Sequence, residues 1–269
     1  MAAEICLLLA AERSGTHLLR SLLANIPGVV APAEVCNVSA AGARRARAGF
    51  HRFRRLLCEE NPDFYFPTEP AQSEMLDRYF TFLRAEFPRS TMIVVDVKYS
   101  HVHNFNFYWW DLSERPYLLE FARKRHIKII HLVRRKAYRT AISTIYASHS
   151  GVWRARAQED LKDLRITVDL RKLERKAVRL ARAIGQFEYW LGACPAFQIT
   201  YEELTGQSEA ELGKLQNFLE LPARIENRPG FIRTTPSLET SIENFEEIAP
   251  LIDLDWRQLE IRAPSQRGP

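Results

Sequence analysis

The sequence predicts an α/β fold, one domain in which a central parallel sheet is flanked by helices on both faces. Three observations carry the prediction. Short aliphatic runs recur along the chain, and the first, Ile5 to Ala10, is continuous enough for a strand buried on both faces. Amphipathic helical patterns separate these runs, and alternation of strand with helix favours parallel pairing. The two segments best suited to hold an anion each follow a strand directly, and ligands of such sheets gather at the carboxyl ends of the strands.

Strands are expected at about 4–10, 28–31, 92–98, 127–133 and 197–200. The first runs into Arg13-Ser14-Gly15-Thr16-His17 and a helix. Small residues there let several amides point into one concavity at the helix N-terminus, while Arg13 adds a fixed charge and Ser14 and Thr16 add hydroxyls. This is not a Walker A loop, which needs two glycines and a lysine. The competing reading is an ordinary strand-to-helix turn with a surface arginine.

The second strand leads to Glu34 in APAEVCN. Residues 40–60 form an Arg-rich helical stretch, either a surface helix or a cover for an acceptor cleft. The strand Met92 to Lys98 ends in a lysine, and Tyr99, His101, His103, Phe105, Phe107, Tyr108, Trp109 and Trp110 crowd the positions after it. Some of these rings belong to the core. Others suit a wall for a sugar ring or a compact cation, with Asp96 and Asp111 as partners of such a cation. The strand Ile127 to Val133 ends in Arg134-Arg135, and Ser143 follows Arg135 by eight positions. An arginine leaving a strand and a serine two turns along the next helix converge on one phosphate. Two phosphate sites at successive strand ends imply a bis-phosphorylated nucleotide.

The clearest periodic element runs from about Asp169 to Leu191, with Leu170, Leu173, Ala177, Leu180, Ile184, Phe187 and Leu191 on one face and a solvated basic face opposite. The weakly periodic 148–168 segment before it is expected to be a mobile lid.

At 269 residues with 46% hydrophobic content, one domain with a substantial core is expected over 1–269. A net charge of +5, with the basic residues dispersed, does not favour nucleic acid as a partner. Cys6, Cys36, Cys58 and Cys194 lack zinc or redox spacing and read as reduced thiols, Cys6 in the core and Cys36 beside the site, where it is either buried or open to modification. The N-terminal apolar run is a strand without a basic leader, and no stretch reaches the roughly 20 apolar residues of a membrane span, so a cytoplasmic protein is expected. No metal site is expected.

On these motifs the chain resembles the sulfotransferases that use 3′-phosphoadenosine 5′-phosphosulfate (PAPS). Glu12 to Leu23 resembles the family's 5′-phosphosulfate loop, Arg134 to Ser143 its 3′-phosphate motif, and Ile199 to Leu221 its late strand, turn and helix. Thr234 to Ile248 is similar to the C-terminal segment of bacterial carbohydrate sulfotransferases of the Nod-factor type. The resemblance implies a P-loop-like fold and in-line transfer of a sulfuryl group from PAPS to a hydroxyl of a carbohydrate or other small molecule, releasing 3′-phosphoadenosine 5′-phosphate (PAP). It implies donor binding by Arg13, Ser14, Gly15, Thr16, His17, Arg135, Ser143 and Arg233, charge stabilisation by Arg13 and Lys98, and Glu34 as general base. Arg228 is the lesser positional match to Arg233. His101 is the rival base, its spacing from Lys98 one residue longer than the cytosolic Lys-x-His; a histidine base fits an alcohol, phenol or amine acceptor. Sulfotransferases often pair, so a homodimer is expected. A P-loop-like small-molecule kinase is the competing enzyme class, and it lacks its lysine here.

Overall fold

The structure is a computed structural model that describes residues 2–37, 48–111, 113–152, 164–206, 209–225 and 237–262. The middle of the predicted lid, 153–163, and both Arg228 and Arg233 lie outside the described residues.

Five parallel strands, β1 (Glu4–Ala10), β2 (Val29–Val30), β3 (Met92–Lys98), β4 (Lys128–Val133) and β5 (Ala196–Thr200), form one sheet in the order β2-β3-β1-β4-β5. Because all run the same way, every carboxyl end lies on one edge. Register sets what meets there: Ala10 of β1 is level with Lys98 of β3 and Leu132 of β4, and Val133 is level with Thr200 of β5. The strand expected at 28–31 is only Val29–Val30, paired with Met92 and Ile93 at the start of β3.

Strand alternation divides the core in two. Leu7 and Leu9 of β1, Ile93, Val95 and Val97 of β3 and Ile129 of β4 enter the larger cluster, while Cys6, Leu8, Val94, Ile130 and Leu132 enter the smaller. Helix α1 (Thr16–Ala24) covers the smaller side with Leu19, Leu22 and Leu23. The larger side is covered by α2 (Phe50–Glu60), α3 (Glu69–Glu86), α4 (Tyr117–Lys124), α5 (Ala137–Ser150) and α6 (Leu170–Leu191). Both faces are covered, as the apolar runs require.

Two helices show the local logic. In α6, Asp169 caps the N-terminus by accepting from the Lys172 amide at 3.0 Å, and Leu173, Ala177, Ala181, Ile184, Phe187 and Leu191 are buried. The expected apolar stripe is present, but Leu170, its first residue, is exposed. In α2, Phe50, Phe53, Leu57 and Cys58 are buried and Arg52 and Arg55 exposed, so this half of the Arg-rich stretch is an ordinary amphipathic surface helix.

His131 of β4 is buried between Tyr99 and Gln198, and burial, outweighing the Gln198 hydrogen bond, lowers its pKa to about 4. The neutral ring folds, and the unfolded chain takes up its proton near pH 6.5. Stability from this group is therefore complete above pH 6.5 and is lost as pH falls from there toward 4, by roughly 3 kcal/mol. Urea unfolding of wild type and His131→Leu across this range checks it: the wild-type curve is expected to fall more steeply.

Candidate active site

Each strand delivers side chains or main-chain groups to the carboxyl edge. After β1, Arg13 and Gly15 both take left-handed backbone, φ 63° and 93°. Such a φ is uncommon for arginine and natural for glycine. Gly15 is the N-cap of α1. A Cβ on it would stand 2.4 Å from Cδ2 of Tyr201, so glycine is required by conformation and by space. Tyr201 opens the helix α7 (Tyr201–Thr205) after β5 and is held there by a capping box, in which Thr200 Oγ1 accepts from the Glu203 amide at 3.2 Å and Glu203 accepts from the Thr200 amide at 2.8 Å. Gly15→Ala is expected to deform the turn and weaken binding of PAP by at least about tenfold, because the donors it aims would move; isothermal titration would show it.

Glu202, next in α7, reaches across to the turn after β4, where its two carboxylate oxygens accept the amides of Arg135 and Lys136 at 3.1 and 3.3 Å. The Trp256 amide donates to the Arg135 carbonyl at 2.9 Å. The Arg135 backbone is thus fixed on both sides, and its side chain is exposed. Its neighbour Arg134 lies over the Tyr201 ring at 4.7 Å and donates to the Arg13 carbonyl at 3.3 Å. Burial first, and then the nearby Arg134 charge, lower the pKa of the Arg13 guanidinium. Arg13 Nε in turn donates to Ser143 Oγ of α5 at 3.0 Å. Ser143, expected beside Arg135, is thus bonded to the first of the two predicted anion cradles.

On the β3 side, Lys98 is 2% exposed, so its ammonium is held inside the protein at the strand end. Its Nζ donates to Thr16 Oγ1 at 2.7 Å and to Asp96 Oδ1 at 2.6 Å, and Glu34 Oε1 lies 3.7 Å away. Asp96 is fully buried, with Arg20 of α1 at 3.6 Å from its other oxygen. It serves this internal pair; its expected role as counter-ion for a cationic acceptor is corrected. Asp111, the other candidate, is bonded to Ser113 at the surface. Glu34 reaches the lysine because the chain after β2 continues beside β3, with the Val35 amide donating to the Asp96 carbonyl at 3.3 Å.

His101 lies on a 3-10 turn (Tyr99–Phe105) that leaves β3, half-buried, and its Nδ1 has no hydrogen-bond partner among the described residues. Burial lowers its pKa against the opposing charges of Glu12 and Glu34. His17 is exposed at the start of α1. Cys36 is buried, and burial with the Asp96 and Glu34 charges drives its pKa up, so it is an inert thiol. The aromatic run splits: Tyr99 and Phe105 are core, Phe107 and Trp110 pack with Tyr117, and Tyr108 and Trp109 are exposed beside Phe66. Sequence reasoning missed Arg134, Tyr201, Glu202 and Arg20. A local signal that could have found one of these placements is the Thr200 to Glu203 capping-box pattern.

An edge of this kind defines a class, α/β proteins that hold a polyanion where parallel strands end. The chain belongs to the sulfotransferase family, the PAPS-dependent family that its motifs resemble: the model described as "Sulfotransferase family" matches residues 7–225. Solved structures similar to it include the sulfotransferase domain from the curacin biosynthetic pathway, at 19% identity over 87% of this chain and 78% of that one, with a TM-score of 0.47. The sulfotransferase domain of the Synechococcus PCC 7002 olefin synthase matches at 20% identity over 96% and 89%, with a TM-score of 0.45. Mouse sulfotransferase SULT7A1 complexed with PAP matches at 16% over 82% and 59%, with a TM-score of 0.44. No match was found among curated proteins. Among the described residues, no helix is long and apolar enough to cross a membrane.

Proposed function

We propose that this chain transfers a sulfuryl group from PAPS to a hydroxyl of a carbohydrate or other small-molecule acceptor, with Glu34 as general base. The observation that carries the reading is the crowding of Arg13 against Arg134 at the N-terminus of α1, with Ser143 bonded to Arg13. Two half-buried guanidiniums drawn together are stabilised by a polyanion, so the donor set fits a nucleotide carrying both a phosphosulfate and a 3′-phosphate. PAPS supplies an activated S–O bond. As the acceptor oxygen bonds to sulfur, that S–O bond breaks toward the 5′-phosphate, and the acceptor proton passes to the Glu34 carboxylate. Arg13 and the amides of residues 14–17 neutralise charge growing on the departing phosphate, and Lys98 faces the transferred group. Arg135, Ser143 and Arg233 are assigned to the 3′-phosphate. A homodimer and a cytoplasmic location belong to the same reading.

The Nδ1 of His101, without a hydrogen-bond partner among the described residues, favours a second reading, in which this ring takes the proton of an alcohol, phenol or amine acceptor. Retained turnover in Glu34→Gln with loss in His101→Ala would select it.

Thermal shift tests the donor. PAP is expected to raise the melting temperature by several degrees and ATP with magnesium to leave it unchanged; the reverse result would overturn the donor assignment. Ser143→Ala is expected to reduce the PAP shift, since it removes a hydroxyl assigned to the 3′-phosphate and the bond that steadies Arg13.

A further inference from the structure

His131 stands apart from the transfer mechanism, yet its ring is bonded at both nitrogens. Nδ1 is 3.0 Å from Gln198 Oε1 of β5, and Nε2 contacts the hydroxyl of Tyr99. Gln198 Nε2 donates to Glu188 Oε1 at 2.8 Å, which turns the amide oxygen toward His131. An amide oxygen only accepts, so Nδ1 carries the hydrogen and Nε2 is left to accept from the Tyr99 hydroxyl. Every bond in this chain then has one direction. Tyr99 is also clamped by its ring, which stacks on Phe187 of α6 at 4.1 Å and 12°.

Tyr99 is the residue after Lys98. Side chains alternate along a strand, and here Lys98 turns toward Thr16 of α1 while Tyr99 turns into the opposite, larger core. Tyr99 is therefore held from the larger core at the point where Lys98 leaves the sheet and the 3-10 turn carrying Ser100 and His101 begins. Ser100 in turn donates to Glu12 of the anion loop, so the same turn is tied to the donor side.

We propose that His131 is a positioning residue for sulfuryl transfer, acting by holding the Tyr99 hydroxyl and thereby fixing where β3 delivers Lys98. The inference rests on the reading above in which Lys98 faces the transferred group. Displacement of a reacting group by about 1 Å costs up to about a hundredfold in rate, so a loosened strand end is felt in turnover before it is felt in donor binding.

The test measures PAP affinity and kcat in the full chain for Tyr99→Phe, His131→Leu and His131→Gln, with kcat read as transfer of label from radiolabelled PAPS to one hydroxyl acceptor selected by screening sugars, alcohols and phenols on wild type, and active-site concentration set by PAP titration. Tyr99→Phe keeps the stacked ring and removes only the hydroxyl. It and His131→Leu are expected to lower kcat about tenfold with the Kd for PAP within twofold of wild type. His131→Gln carries an amide oxygen able to accept from Tyr99 and is expected to recover most of the rate. The double variant Tyr99→Phe/His131→Leu leaves no orphaned polar atom between the two positions, and is expected to fold as well as the better single variant while staying slow. Wild-type kcat in both Tyr99→Phe and His131→Leu overturns the proposal, as does a loss of kcat matched by an equal loss of PAP affinity. Lys98→Met separates the layers: if it turns over normally, the reading of Lys98 fails and this inference with it. If it is inactive while Tyr99→Phe is not, only the inference fails.

Discussion

Glu34→Gln is expected to lower kcat by about 10²- to 10⁴-fold, the usual worth of a positioned general base, while leaving PAP affinity near that of wild type. The amide keeps the size of the carboxylate and a carbonyl oxygen that Lys98 Nζ, now 3.7 Å from Glu34 Oε1, is able to reach. What it lacks is the capacity to take a proton. Steady-state kinetics with labelled donor, beside calorimetric titration of PAP, separates the two effects. Retention of full turnover would move the base to His101, whose lowered pKa keeps its ring neutral at pH 7 and able to accept.

Lys98→Met is expected to cost both stability and activity. Its ammonium is buried against Asp96, which is itself fully buried, and removing one member of a buried ion pair typically costs about 3–5 kcal/mol. Arg20, 3.6 Å from Asp96 Oδ2, moderates that loss. The double variant Asp96→Asn/Lys98→Met removes both charges and is expected to regain much of the lost stability but none of the turnover. Urea unfolding and single-turnover rates on both proteins check this. A double variant with restored turnover would reduce Lys98 to a structural ion pair.

Several site residues were legible in the chain because their placement depends on neighbours in sequence. The loop at Arg13 to Thr16 needs a strand, a glycine and a helix start, all local signals. The Thr200 to Glu203 capping box is likewise local, and so is the amphipathic α6. Lys98 was placed at the right edge by the run that ends in it. Its burial was not foreseen, because that depends on Thr16 and Asp96 closing over it from α1 and from its own strand. Asp96 follows the same rule: an acid within an apolar strand acquires its meaning from the Lys98 and Arg20 brought to it. Arg134 and Arg135 are adjacent and chemically alike in sequence. Folding distinguishes them, sending Arg134 over Tyr201 toward the Arg13 carbonyl and leaving the Arg135 side chain exposed.

Hydrophobic period and turn chemistry within a few residues are enough to dictate the alternation of strand and helix, the parallel sheet and the anion loop. Tertiary structure alone decided that Arg13 and Ser143, 130 positions apart, share a hydrogen bond, and that Lys98 is locked between Thr16, Asp96 and Glu34. The physical reason is strand order. Placing β1 between β3 and β4 brings three distant strand ends together on one edge, and the charges they carry acquire partners only there.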